Sequence, residues 1–184
     1  MLKFKKITGL EKRWLLNNVS IMIALVAACI LTVTVSQAAY YYSNMRSGLE
    51  SKARTTADFF GNYISQSYNE YYQSCIKFAQ TFEDKNELEL QFISTDGSIV
   101  ASSYSQWAGQ PPGTQDIADA ISTQKPGVFV GRNPSTGERI MAVSSPMIYS
   151  NGEVIGVLRY VTTLRIVDRQ VMLSAVITIA VGLV

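Results

Sequence analysis

Between Arg13 and Arg46 the chain carries no charged side chain for 32 residues, and the apolar centre of that stretch, Val19 to Val35, reads VSIMIALVAACILTVTV. Roughly 20 helical residues cross the hydrocarbon core of a bilayer. The stretch is therefore read as a transmembrane helix over residues 16–39. Trp14 before it and Tyr40, Tyr41 and Tyr42 after it stand where amphipathic rings meet the two headgroup layers. A second apolar run, Val171 to Val184, has 14 residues and reads as the start of a second membrane helix, 171–184, cut short. Residues 1–13 hold Lys3, Lys5, Lys6, Lys12 and Arg13 against Glu11, a net of +4, so the tail 1–15 is expected in the cytoplasm and 40–170 outside. The competing reading is a cleaved signal peptide ending at the small-x-small site Ser36-Gln37-Ala38. The length of the apolar core and the second membrane run weigh against it.

Composition removes several kinds of chemistry. The charged fraction is 16%, against about 25% in soluble domains, and the deficit lies in the two apolar runs. With no histidine, the chain has no Ser-His-Asp or Cys-His pair, no His-containing zinc site and no phospho-accepting histidine. Its two cysteines cannot complete a structural zinc site. Cys29, in the membrane run, and Cys75, in the next segment, are too far apart to bond to each other. Cys75 reads as buried packing. A net charge of +2 gives no nucleic-acid footprint. The carboxylate pairs Glu83-Asp84 and Glu87/Glu89 lack metal-ligand spacing and read as solvated groups of a polar linker. No catalytic residue, metal or cofactor is expected.

Beyond the membrane, Leu49, Ala53, Ala57, Phe60, Ile64, Tyr68, Tyr71, Cys75, Phe78 and Phe82 recur every three or four residues, the pattern of an amphipathic helix of about 40 residues over 40–83. Its C-terminal half is expected to pack on a sheet. Leu49 to Phe60, nearer the membrane, is expected to face a partner helix, giving a parallel homodimer with Leu49, Ala53 and Ala57 on the axis. From residue 84 to 168 the period becomes 2. Leu88–Ser94 and Ser98–Ser102 flank Thr95-Asp96-Gly97, a strong hairpin signal. Tyr104 to Gly113 is too rich in Gly and Pro for regular structure. Thr114 is expected to cap a helix to Gln124 that buries Ile117, Ala118 and Ile121. Val128–Arg132, Glu138–Ser145 and Val154–Thr163 read as three strands whose short links make them antiparallel neighbours.

The segments QFISTDGSIVASS, GVFVGRNPSTGERIMAVSSPMI and NGEVIGVLRYVTTLRIVDRQ, in that order between two membrane runs, resemble the extracytoplasmic single-Cache (PAS-like, PDC) domain of bacterial membrane sensors, most of all Gram-positive sensor histidine kinases. The resemblance covers residues 40–170. It implies an α+β fold, a five-stranded antiparallel sheet with the long helix on one face and a ligand pocket on the other. It also implies a homodimer whose kinase part follows Val184 and passes its signal to a response regulator. A chemoreceptor, or a tethered binding module without output, are the rivals.

The pocket candidates lie in the strands and loop that the resemblance places over the free face. Arg132 and Arg139 flank one turn, where either presents a guanidinium to a carboxylate ligand or is simply solvated. Tyr104 and Trp107 lie in the Gly/Pro-rich loop, where an aromatic closes over a small molecule or caps the sheet. Ser144 offers a hydroxyl inward. The expected partner is a small extracellular molecule, a carboxylate in particular, besides membrane lipid.

Overall fold

A computed structural model describes residues 9–63, 68–104 and 109–182. Nine elements follow in order: α1 (Gly9–Tyr63), α2 (Tyr68–Gln80), β1 (Glu89–Ile93), β2 (Ile99–Ser102), α3 (Gln115–Thr123), β3 (Gly127–Arg132), β4 (Arg139–Ile148), β5 (Val154–Thr163) and α4 (Arg165–Gly182). Tyr42–Ile166 forms one compact unit and the flanking segments form another.

In the flanking unit, α1 carries a window with a mean hydropathy of 2.5 and is, among the described residues, the one helix long and apolar enough to cross a membrane. Its hydroxyls are satisfied within the helix: Ser20, Thr32 and Thr34 each donate to the carbonyl four residues back, at 2.8 Å. That is how polar side chains reside in an apolar helix without stray donors. The second apolar run is helical through Gly182, as part of α4.

The central unit is an α+β fold around a five-stranded antiparallel sheet, as the resemblance implied, and its strand order is β2-β1-β5-β4-β3. Strand alternation sends Leu90, Phe92, Met141, Val143, Leu158 and Tyr160 to one face, where they meet Leu49, Ala53, Ala57 and Phe60 of α1 and Cys75 and Ala79 of α2. Ala53 and Ala57, one turn apart and fully buried, let α1 lie close to the sheet. Gly61 brings it closer still, since a Cβ there would stand 2.5 Å from the Ile148 carbonyl oxygen. Phe60 seals the contact edge-on to Phe92 at 4.8 Å and Phe78 at 5.2 Å, a geometry aromatic quadrupoles favour.

Two expectations are corrected here, the partner-helix contact and the buried face of α3. Leu49, Ala53 and Ala57 do not face a second copy, because β4 and β5 extend far enough to bury them within the chain. Of the stripe, Leu49 to Phe60 lies on α1 and Tyr71 to Phe78 on α2; Ile64 lies outside the described residues. In α3 the buried positions are Asp116, Ile117 and Ala120, while Ala118 is exposed. The helix aligns Ile117, Ala120 and Ile121 with Ile93, Ile99 and Val157, and Ala118, turned about 100° from Ile117, then faces solvent.

Candidate functional site

The sheet face under α3 is crossed by one register row that contains no apolar side chain. Ser102 pairs with Gln91, Gln91 with Arg159, Arg159 with Ser144, and Ser144 with Gly127, so the row runs through all five strands. Gly127 at its end is a steric requirement: a Cβ there would stand 2.1 Å from the carbonyl oxygen of Asp116. Glycine thus lets the first turn of α3 descend onto the sheet and deliver Asp116 to the row.

Arg159 is the centre, with its side chain 3% exposed. Its Nε donates to Asp116 Oδ2 at 2.8 Å, one terminal nitrogen to Gln91 Oε1 at 2.8 Å, and the other to Thr114 Oγ1 at 2.8 Å. Asp116 Oδ2 also accepts from Ser144 Oγ at 2.7 Å. Gln91 passes the chain on, its amide donating to Glu89 Oε1 at 2.7 Å, and that oxygen accepts from Ser102 Oγ at 3.0 Å. Burying this many polar groups is tolerable only because nearly all are paired. One buried oxygen is not: Asp116 Oδ1 has no partner. Glu89 Oε2, on a residue that lines the cavity described next, accepts from no described residue.

Above the row lies a cavity of about 30 Å³, lined by Glu89, Gln91 and Arg159 from the sheet and roofed by Pro111, Pro112 and the β3–β4 turn at Asn133 and Pro134. It holds about one or two waters. After β2, the Tyr104 hydroxyl donates to the Lys85 carbonyl at 2.7 Å. Partial burial raises the Tyr104 phenol pKa, and the charges of Glu89 and Glu138 raise it further.

Of the residues expected from sequence, the structure brings Ser144 into this cluster. Tyr104 is exposed, and its backbone N–H donates to Ser102 Oγ at 3.1 Å. Arg132 and Arg139 are register partners on β3 and β4 and are exposed. Arg132 donates to the Gly137 carbonyl at 3.1 Å and Arg139 to the Tyr42 hydroxyl at 3.4 Å. Trp107 lies outside the described residues. Two readings are corrected. Glu89 is not a solvated linker carboxylate but a buried residue of β1, and the Thr114 hydroxyl does not cap α3, because Arg159 claims it. Sequence reasoning missed Glu89, Gln91, Asp116 and Arg159. The available signals were a lone charge inside the apolar strand VIGVLRYVTT and polar residues at alternate positions of ELQFI.

No family model and no curated relative matches the chain. Among solved structures it is similar to the E. coli DcuS sensor domain, at 21% identity over 68% of this chain and 96% of that one, with a TM-score of 0.51. It is also similar to the ligand-binding domain of the Pseudomonas aeruginosa amino acid chemoreceptor PctC in complex with GABA, at 14% over 73% and 59%, TM-score 0.52. The ligand-binding domain of the Campylobacter jejuni chemoreceptor Tlp3 in complex with L-valine gives 15% over 90% and 68%, TM-score 0.57. This chain thus spans less than two thirds of the PctC domain. The fold is the single-Cache, PAS-like fold of bacterial sensor domains.

Proposed function

We propose that the chain is the sensing and membrane-spanning part of a bacterial receptor, in which a small molecule outside the cell enters the cavity over the polar row and shifts the helix that follows β5. The observation that carries this reading is a buried guanidinium, Arg159, held by three side chains beneath a cavity on the sheet face opposite α1. PctC in complex with GABA and Tlp3 in complex with L-valine, both of this fold, support a small ligand. In this reading the N-terminal tail with its +4 charge is cytoplasmic, α1 and α4 both cross the membrane, and residues 42–166 lie outside. The receptor is a parallel homodimer, with Ala24, Ala27, Ala28 and Ser36 allowing close approach within the membrane.

β5 is suited to carry the signal, because its neighbouring residues grip opposite sides. Arg159 holds the row and α3, while Tyr160 meets α1 through Thr56 at 3.3 Å and through Lys52 over its ring at 5.8 Å. A ligand that binds one arrangement of Arg159 and α3 better than another displaces β5, hence Tyr160 against α1 and Arg165 at the start of α4. Differential affinity is the only source of such a shift. We assign a histidine kinase output on the likeness of SSPMI, NGEVIGVLRY and LRIVDRQ to such sensors. The fold of PctC and Tlp3 favours a chemoreceptor as the second reading. The sequence encoded after Val184 separates the two, a dimerising histidine helix with an ATP-binding domain in the first case and a long helical hairpin in the second.

The test is a metabolite screen by thermal shift on the 184-residue chain in nanodiscs. A stabilising ligand is expected whose effect disappears in Arg159→Lys, which keeps the charge but loses the fork. Arg132→Ala and Arg139→Ala belong in the same panel as the arginines named by sequence. A screen without a stabilising ligand, or a ligand indifferent to Arg159, overturns the cavity as the sensing site.

A further inference from the structure

We propose that the cavity beside Glu89 takes the ammonium group of a small primary amine; the proposal rests on the cavity being the sensing site and names the ligand class. The first argument is charge. The buried cluster holds two carboxylates, Glu89 and Asp116, against one guanidinium, Arg159. Asp116 takes the guanidinium at 2.8 Å, which leaves Glu89 with only the neutral donors Gln91 and Ser102. Among the described residues no lysine or arginine forms an ion pair with Glu89. A carboxylate this well removed from water is expensive without a cation.

The second argument is the balance of donors and acceptors. Each nitrogen of Arg159 already donates to the protein, which uses three of the guanidinium's five N–H groups and commits its Nε to Asp116. The acceptor the cavity lining leaves open is Glu89 Oε2, to which no described residue donates; Asp116 does not line the cavity. An ammonium brings three donors and one positive charge, the two things this site lacks.

The third argument is size. A cavity of about 30 Å³ fits a group the size of a water and not a quaternary ammonium. Around it Pro111, Pro112 and Pro134 alternate with Gln110, Asn133 and Ser135, a mixed rim that suits a short tail with or without a hydroxyl.

The experiment uses the 184-residue chain in nanodiscs at fixed ionic strength, with ethylamine, ethanolamine, tetramethylammonium, sodium and potassium as chlorides, and sodium acetate. Ethylamine and ethanolamine are expected to raise the melting temperature saturably, with tetramethylammonium, potassium and acetate no better than sodium chloride. Glu89→Gln, which keeps an acceptor for Ser102, is expected to weaken amine binding more than tenfold and to raise the melting temperature of the amine-free protein. Stabilisation by amines that persists in Glu89→Gln overturns the proposal, as does a lower amine-free melting temperature for that variant. Stabilisation by sodium or potassium but not by amines assigns a bare cation instead and overturns it too. An acetate effect that depends on Arg159 overturns the amine while sustaining the cavity as sensing site, and no effect from any probe removes both.

Discussion

On the α1 side of the sheet, Leu90, Phe92, Val143, Leu158 and Tyr160 pack against two helices through apolar surface. On the α3 side, one residue along each strand, Gln91, Ser144 and Arg159 form a hydrogen-bonded chain. The same strands build both, because successive side chains alternate between faces. The apolar face draws on many small contacts, so losing one side chain costs its own burial and the cavity it leaves. In the polar chain nearly every group is satisfied by its neighbour, and removing one orphans the next. One face is therefore suited to holding a shape, and the other to being rearranged by whatever competes for its hydrogen bonds.

The sharpest test of that contrast is Arg159→Met. It strands Asp116 without a counter-charge and should cost about 3–5 kcal/mol in chemical denaturation. Leu158→Ala, the neighbouring residue on the apolar face, should cost a similar ~2–5 kcal/mol. The two differ in rescue. Adding Asp116→Leu to Arg159→Met should recover most of the loss, since an apolar pair replaces a buried ion pair at little net cost. No second substitution is expected to do the same for Leu158→Ala. If Arg159→Met costs less than ~1 kcal/mol, the polar row is hydrated and the contrast fails.

Next in size is Gly127→Ala. The added methyl would meet the Asp116 carbonyl, so α3 must rise off the sheet, for about 1–3 kcal/mol by analogy with overpacked cores. Gly61→Ala presses α1 against Ile148 in the same way on the other face. Both should unfold earlier in denaturant. Only Gly127→Ala should also speed hydrogen exchange in α3, because only there does the collision fall on the helix that delivers Asp116.

The element sequence and the local pairings were legible because hairpin turns and period-2 patterning are local signals: Asp96-Gly97 and the short links after Arg132 and Ile148 give antiparallel neighbours, while the central β1–β5 pairing, which sets the strand order, was not read. The polar row was not legible, because it is a property of register. Nothing in the sequence aligns Gln91 with Arg159, 68 residues later, or sets Asp116 on Ser144, until the strands are paired. Thr114 shows the same limit in one residue. Its position, with extended backbone before α3, was read correctly, while its hydroxyl was claimed from across the sheet by a residue no local rule connects to it. Leu49 to Phe60 failed for the complementary reason: periodicity revealed a buried stripe but not what buries it.

A pH experiment isolates the apolar face. Burial pushes the Cys75 thiol up to about 12, against an ordinary value of 9.0, with a Tyr71 hydrogen bond acting weakly the other way. The folded state therefore holds the thiol proton more tightly than the unfolded chain. That contribution to stability is complete below about pH 9 and is lost as pH rises toward about 12. In that window the slope should approach ~1.4 kcal/mol per pH unit, and Cys75→Ala should remove this part of it. The same burial predicts that maleimide labels Cys75 in the central unit only at the rate of unfolding. Rapid native-state labelling would mean the α1 face opens more freely than its packing implies.

The smallest effect expected is at Tyr160, where the apolar face carries a polar contact of its own. Tyr160→Phe removes the 3.3 Å interaction with Thr56 but keeps the ring beside Phe82 and beneath Lys52, so the loss should be about 0.5–1.5 kcal/mol. Burial raises the pKa of this phenol, so the hydroxyl stays protonated at neutral pH and no charge is lost with it. If β5 transmits by moving the ring against α1, ligand-dependent changes in hydrogen exchange on α1 near Thr56 should survive Tyr160→Phe and vanish in Tyr160→Ala. Loss of those changes already in Tyr160→Phe would place the coupling in the hydroxyl. The two faces would then differ less than their composition suggests, each relaying through a hydrogen bond that one neighbour can take away.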